Sequence, residues 1–212
     1  MLLLATQAEP QMLEYAHPHL GRLVQPRHYP RIAETARRGI PWAADNDAFK
    51  SFDAAAFEKM LWTLRGLPGC RFVTSPDVVG DAGLTDLLFE EWAPIIARHD
   101  LPVAYVIQED GCEYEPRGIF WGAISALFIG CVNDEEKLGE RIRELVVEAK
   151  RRGKWVHMGR VNSDRRIRYA REIGCDSVDG TKWVQWRDTH LPSGLESVSR
   201  PRPQVSLFEA VA

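Results

Sequence analysis

Residues 154–183 read KWVHMGRVNSDRRIRYAREIGCDSVDGTKW. The short apolar run Trp155-Val156 ends in His157 and Gly159, a basic amphipathic segment follows, and the stretch closes on Asp176-Ser177-Val178-Asp179-Gly180-Thr181. The pattern is strand, loop, helix, strand, with ionisable side chains gathered where each strand stops. A stretch that served only the core would put its polar residues elsewhere. This one holds a carboxylate, Asp179, at a pocket mouth.

The same pattern repeats upstream. Leu2–Ala5 and Gly21–Gln25 suit short strands, with a helical stretch expected around Gln11–Ala16. Ile40–Ala44 stops at Asp45-Asn46-Asp47, Arg71–Thr74 stops at Ser75-Pro76-Asp77, Pro102–Ile107 stops at Gln108-Glu109, and Ala126–Ile129 stops at Gly130. Helices fall between them. Asp53 is placed to cap Ala54–Arg65, in which Phe57, Met60, Leu61 and Leu64 share one face. Thr85–Arg98 carries an apparent stripe of Leu87, Leu88, Trp92, Ile95 and Ile96. Asn133 or Asp134 is placed to cap one long helix to Arg152, with Leu138, Ile142, Leu145 and Val146 at helical spacing.

Up to eight short strands alternating with helices call for a parallel sheet. Short strands that each end in a polar cluster suit a compact α/β fold of the (β/α)8 TIM-like type, because a closed barrel sends all such clusters to one rim. An open sheet is the alternative. The expected organisation is a catalytic-type domain over residues 1–186, followed by an extended tail over 187–212, where Pro192, Gly194, Pro201 and Pro203 interrupt the pattern.

The totals narrow the function classes. At 212 residues with 45% apolar content, one domain with a sizeable core is expected. The formal net charge of −3 gives no global basic field, although Lys137–Arg171 concentrates about a dozen Lys and Arg, enough to follow phosphates or merely to solvate helices. The four cysteines, Cys70, Cys112, Cys131 and Cys175, have neither zinc-knuckle spacing nor a disulfide framework, which fits reduced thiols and a cytoplasmic setting. The apolar opening Met1–Ala5 lacks the form of a signal segment, and no run approaches a membrane span.

A rim of carboxylates supports few chemistries. His157 with the aspartates could bind a metal, yet there is no HxH or HExxH spacing, so no metal and no cofactor is expected. Cys175 next to Asp176 is poorly placed for a nucleophile, since an adjacent anion disfavours the thiolate. Glycosidic-bond chemistry fits better. One carboxylate, Asp179, can trap an oxocarbenium-like sugar carbon while a second, Asp45, manages the proton on the leaving base. Each aspartate taken alone could equally be a helix cap or a turn residue.

At these residues the chain resembles the tRNA-guanine transglycosylase superfamily, most closely its short phage and bacterial relatives that act on DNA, the DNA 7-deazaguanine transglycosylase type. Ala44-Asp45-Asn46-Asp47-Ala48-Phe49 resembles the D-S-G-G-F segment, which implies Asp45, or alternatively Asp47, as general acid/base and brings Phe49 to the site. Thr74-Ser75-Pro76-Asp77 resembles the base-recognising segment, so Asp77 is implied in reading the purine. Val106-Ile107-Gln108 is similar to V-Q-G, and Gln108 would contact the same edge. Gly130 would read the base through its backbone. His157-Met158-Gly159 resembles L-M-G-V-G and implies a substrate-binding role for those three residues. Gly174–Asp179 resembles G-I-D-x-F-D and carries the nucleophile onto Asp179. The family zinc site is not expected, because no cysteine follows Cys175.

The resemblance implies base exchange in DNA, with RNA an alternative substrate, through a covalent aspartyl intermediate and with a free 7-deazaguanine-type base as co-substrate. Arg160, Arg165 and Arg166 would hold backbone phosphates, and Trp42, Phe49 or Trp183 could stack on a flipped base. If water replaces the incoming base, the same constellation gives a DNA glycosylase suited to antiviral defence. A non-catalytic nucleic-acid-binding subunit and a metal-dependent barrel hydrolase are the readings from other classes. A homodimer or a partner protein could stand in for the zinc subdomain.

Overall fold

Strands of three to five residues dominate the framework: β1 (Leu2–Ala5), β2 (Leu20–Val24), β3 (Trp42–Ala44), β4 (Cys70–Thr74), β5 (Val103–Ile107), β6 (Ala126–Ile129), β7 (Trp155–Met158) and β8 (Ser177–Asp179). The computed structural model describes residues 1–5, 15–29, 31–48, 52–108 and 119–201. Every strand pairs in parallel with the next, and β8 returns to β1 with Leu4 opposite Asp179, so the sheet is a closed barrel. The chain is therefore a (β/α)8 TIM-like barrel.

Period-two alternation divides the apolar residues into two cores. Leu4, Leu23, Ala43, Phe72, Ala104 and Ala126 come one from each of β1 to β6 and fill the barrel, with Phe128 and Trp155 packed against them. The small alanines leave room for the two phenylalanine rings, whose centroids lie 6.1 Å apart edge to face. The intervening residues, among them Leu3, Val24, Trp42, Val73, Leu127, Val156 and Val178, point outward into the larger core under the helices.

Those helices are α1 (Ile32–Arg37), α2 (Ala54–Leu64), α3 (Ala82–Ala97), α4 (Asp134–Lys137), α5 (Glu140–Arg151), α6 (Asp164–Ile173), α7 (Thr181–Gln185) and α8 (Arg187–Ser199). Asp53 caps α2 by accepting Ala56 N–H at 3.0 Å, and Asp81 caps α3 by accepting Leu84 N–H at 2.8 Å. Ser163 caps α6, and Gly174 ends it in the left-handed conformation at φ 103°.

Three expectations are corrected. The buried face of α3 is Ala82, Thr85, Phe89, Trp92, Ala93 and Ile96, whereas Leu87 is 63% exposed. The Asp81 cap starts the helix early and fixes a phase in which Phe89 faces inward. The single long helix is two, because Gly139 breaks the run in an extended conformation and caps α5. The third concerns residues 187–199, which are not an extended tail. They form α8, which buries Leu191, Leu195 and Val198, with Gly194 so close to Trp183 that an added Cβ would sit 2.8 Å from its ring. Pro192 lies inside the helix as its sixth residue, where it removes one backbone donor. Residues 202–212 lie outside the described residues, as do Gln11 to Glu14; Tyr15 and Ala16 are not helical. Among the described residues no helix is long and apolar enough to cross a membrane.

Candidate active site

A cavity of ≈ 440 Å³ opens where the C-terminal ends of the strands converge, the rim on which barrel sites are built. Its walls carry the carboxylates of Asp45, Asp47, Asp77 and Asp179, and Arg27, His28 and Arg160 stand among them. The chain thus brings together residues 134 positions apart in sequence, from Asp45 to Asp179.

Asp179 is the last residue of β8 and lies on its inward face. Its Oδ1 accepts two bonds, from His157 Nε2 at 3.0 Å and from the Arg160 backbone N–H at 3.3 Å. Oδ2 has no hydrogen bond among the described residues, and the side chain is 11% exposed at the cavity. His157 is two residues along the inward face of β7 from Trp155. The ring is fully buried between Phe72 and Phe128, with centroids 5.0 and 4.6 Å away. Its Nδ1 lies 2.8 Å from Ser177 Oγ, which also accepts Trp155 Nε1–H at 2.8 Å. Trp155 can only donate, which leaves the serine hydroxyl proton able to donate onward to Nδ1; in that tautomer the Nε2 proton points at Asp179.

Asp45 is held differently. Gln25 Nε2–H donates to Oδ2 at 2.9 Å, and the Asn46 backbone N–H donates to Oδ1 at 3.0 Å. Burial pushes its carboxyl up to about 7, an effect opposed by the Gln25 bond and reinforced by the charges of Asp77, Asp179 and Asp47. A carboxylic acid that carries a proton near neutrality can donate it. Asp47, in the left-handed conformation at φ 61°, instead forms an ion pair with Arg27. Of the two aspartates considered for acid/base, Asp45 is the one that burial raises toward neutrality, and Asp47 is the one engaged by Arg27.

Asp77 accepts Asn46 Nδ2–H on Oδ1 at 2.7 Å and Gln108 Nε2–H on Oδ2 at 2.6 Å; burial, the largest influence, raises its pKa against those bonds and the nearby Arg160. Gln108 also accepts Gly80 N–H at 3.0 Å through its Oε1. It is buried beneath Asp77 and braces the β4 loop; it does not line the cavity. Gly130 does line it, and a Cβ there would meet Val106 Cγ1 at 2.6 Å and Ile107 O at 3.0 Å, so close strand packing already requires glycine. Gly159 is similar, with Phe128 Cε1 at 2.7 Å.

The remaining expected residues separate from the cavity. Met158 alternates outward from His157 and packs in the outer core. Arg166 is tied to Asp134 and to Arg160 O, and Arg165 is exposed on α6. Trp42 and Trp183 are buried, with their N–H groups given to Pro68 O and Val161 O, so neither is available to stack on a base. Phe49 lies outside the described residues.

Several site residues were not singled out by sequence. Ser177 and Trp155 share inward phase with Asp179 and His157, a signal that period-two counting contains. Gln25 and Asn46 look like ordinary turn residues. Thr74 lines the cavity with a buried hydroxyl that has no hydrogen-bond partner among the described residues. Among the described residues no three His, Cys, Asp or Glu side chains group as metal ligands.

Comparison with known proteins gives no matching family model and no matching curated protein. The barrel fold commonly carries enzymes, but it is compatible with many chemistries. The geometry itself offers one carboxylate oxygen without a hydrogen bond among the described residues and, in the same cavity, one carboxyl group raised toward neutrality.

Proposed function

We propose that this chain is a nucleic-acid base-exchange enzyme, a pentosyltransferase of the transglycosylase kind related to the tRNA-guanine transglycosylases. It cleaves an N-glycosidic bond in DNA through a covalent aspartyl intermediate and inserts a 7-deazaguanine-type base. The observation that carries the reading is the division of labour between Asp179 and Asp45. One presents an anchored carboxylate whose Oδ2 has no hydrogen bond among the described residues, and the other has its carboxyl raised by burial to about 7.

In the first half-reaction Asp179 Oδ2 attacks C1′ of an extruded nucleotide. The C1′–N bond breaks, its electron pair leaves on the base, and Asp45 delivers the proton that neutralises it. In the second half the incoming base gives a proton back to Asp45, its ring nitrogen attacks C1′, and the ester bond to Asp179 breaks. The enzyme ends in its starting state. Thr74 Oγ1 and Asp77 supply hydrogen-bonding atoms for the base, while Arg160 and Arg27 at the mouth offer positive charge to the phosphates.

Incubating the protein with duplex DNA and a radiolabelled 7-deazaguanine-type base tests the reading. The expected result is label in DNA with release of an equal amount of normal base. Free base and abasic sites without label would convert the reading to the hydrolytic glycosylase. Full activity in an Asp179→Ala protein would remove the aspartyl mechanism altogether.

A further inference from the structure

Lys137 belongs to α4, Asp134-Glu135-Glu136-Lys137, a turn that reads as solvated surface, yet its side chain is fully buried. Its Nζ–H donates to Gly159 O at 2.8 Å. The Gly159 carbonyl and the Arg160 N–H are the two ends of one planar peptide unit, and that N–H is the second donor to Asp179 Oδ1. The lysine and the carboxylate therefore grip opposite ends of the same peptide.

We infer that Lys137 is a positioning residue for the Asp179 carboxylate, acting through the Gly159–Arg160 peptide. Its catalytic consequence rests on the base-exchange reading; the coupling itself does not. A cation on the carbonyl oxygen polarises the amide and strengthens the N–H as a donor, more so where water is excluded. The peptide is fixed in one orientation. Arg160 adopts the left-handed conformation at φ 58°, unfavourable for a side chain of its size, and Arg160 O accepts both the Arg166 guanidinium and the Asn162 N–H. The Val161 N–H closes the loop on Asp179 O at 2.6 Å.

A position that served packing alone would favour an apolar side chain of similar length. Burying an ammonium against a single carbonyl is unfavourable, and burial pulls the Lys137 amine down to about 8. The ionisable groups that face it are Arg166 from α6, Asp179 from β8, Cys131 after β6 and Arg160 after β7. A destabilising choice with a direct line to the nucleophile is what a functional role looks like.

The test uses the full chain, with the Arg160 backbone amide read by NMR. In Lys137→Met the Arg160 amide proton moves upfield, the melting temperature stays or rises, and kcat for label uptake falls about tenfold while KM stays within about twofold. A purely structural lysine would lower the melting temperature and leave the kcat to KM balance alone. In unsubstituted protein, the Arg160 amide follows the same midpoint as the Lys137 ammonium read in the same sample, which keeps the test decisive if the variant folds poorly. An Arg160 amide that ignores Lys137 in both measurements overturns the inference. If Asp179→Asn is inactive but Lys137→Met keeps full kcat, base exchange stands and the Lys137 inference falls. If Asp179→Asn keeps its activity, the base-exchange reading falls, and the amide measurements still decide the coupling.

Discussion

His157 Nε2 lies 3.0 Å from Asp179 Oδ1, and the same ring's Nδ1 lies 2.8 Å from Ser177 Oγ. One buried imidazole thus connects the outermost inward position of β8 to the inward position two residues before it. With Trp155 N–H on the serine oxygen, the Ser177 hydroxyl can donate to Nδ1, and Asp179 then receives the Nε2 proton of a ring packed between Phe72 and Phe128.

Replacing Ser177 with alanine leaves Trp155 Nε1–H and His157 Nδ1 without their partner. Losing two buried bonds through one hydroxyl is expected to cost ~1–2 kcal/mol in chemical denaturation. Freed from its fixed tautomer, His157 should anchor Asp179 less often, and base release should slow about tenfold. Unaltered kcat in a destabilised Ser177→Ala protein would show that the network is structural only.

Asp45 makes stability depend on pH in a definite sense. Its folded-state carboxyl is raised from the ordinary aspartate value of 3.8 to about 7, so between those values the folded chain holds a proton that the unfolded chain has released. Stability contributed by this group therefore falls as pH rises through that window and is flat above it. Asp45→Asn should remove the slope: the variant is expected to gain ~1–3 kcal/mol relative to the unsubstituted protein at pH 8 and little at pH 4. Denaturant midpoints at the two pH values give the answer. Base exchange should fall at least about 100-fold in the same variant, since no group in its place can pass the proton.

Leu191 tests the assignment of the C-terminal segment. It is fully buried in α8, so Leu191→Ala should cost ~2–5 kcal/mol. An extended tail would lose nothing measurable. A thermal melt distinguishes the two.

Much of the barrel is legible in the sequence, because each strand is an apolar run closed by polar residues. β1 and β6 have the bounds expected of them, and Asp53 caps α2 as its position implies. Less legible is which polar residue of a cluster faces the cavity. Asp176 and Asp179 stand three apart, yet Asp176 precedes the strand, where its Oδ2 takes Lys150 Nζ at 2.6 Å and Val156 N–H at 2.8 Å. Only the register with β7 and β1 separates the structural aspartate from the one that faces the cavity. Gln108 shows the opposite limit: a residue at a strand end whose amide is consumed by Asp77 and Gly80. Lys137 lies beyond sequence reading entirely, since three acidic neighbours and a polar turn say surface, and only the closure of α4 over the β7 loop buries it.

Base exchange through an aspartyl intermediate requires Asp179 to form a bond to the sugar. Mixing the protein with duplex DNA in the absence of an incoming base, quenching in denaturant and mapping peptides by mass spectrometry tests it directly. The predicted result is a deoxyribosyl ester confined to the peptide that carries Asp179 and absent from Asp179→Asn. Base release from DNA with no adduct on Asp179, and with Asp179→Asn equally active, would contradict it.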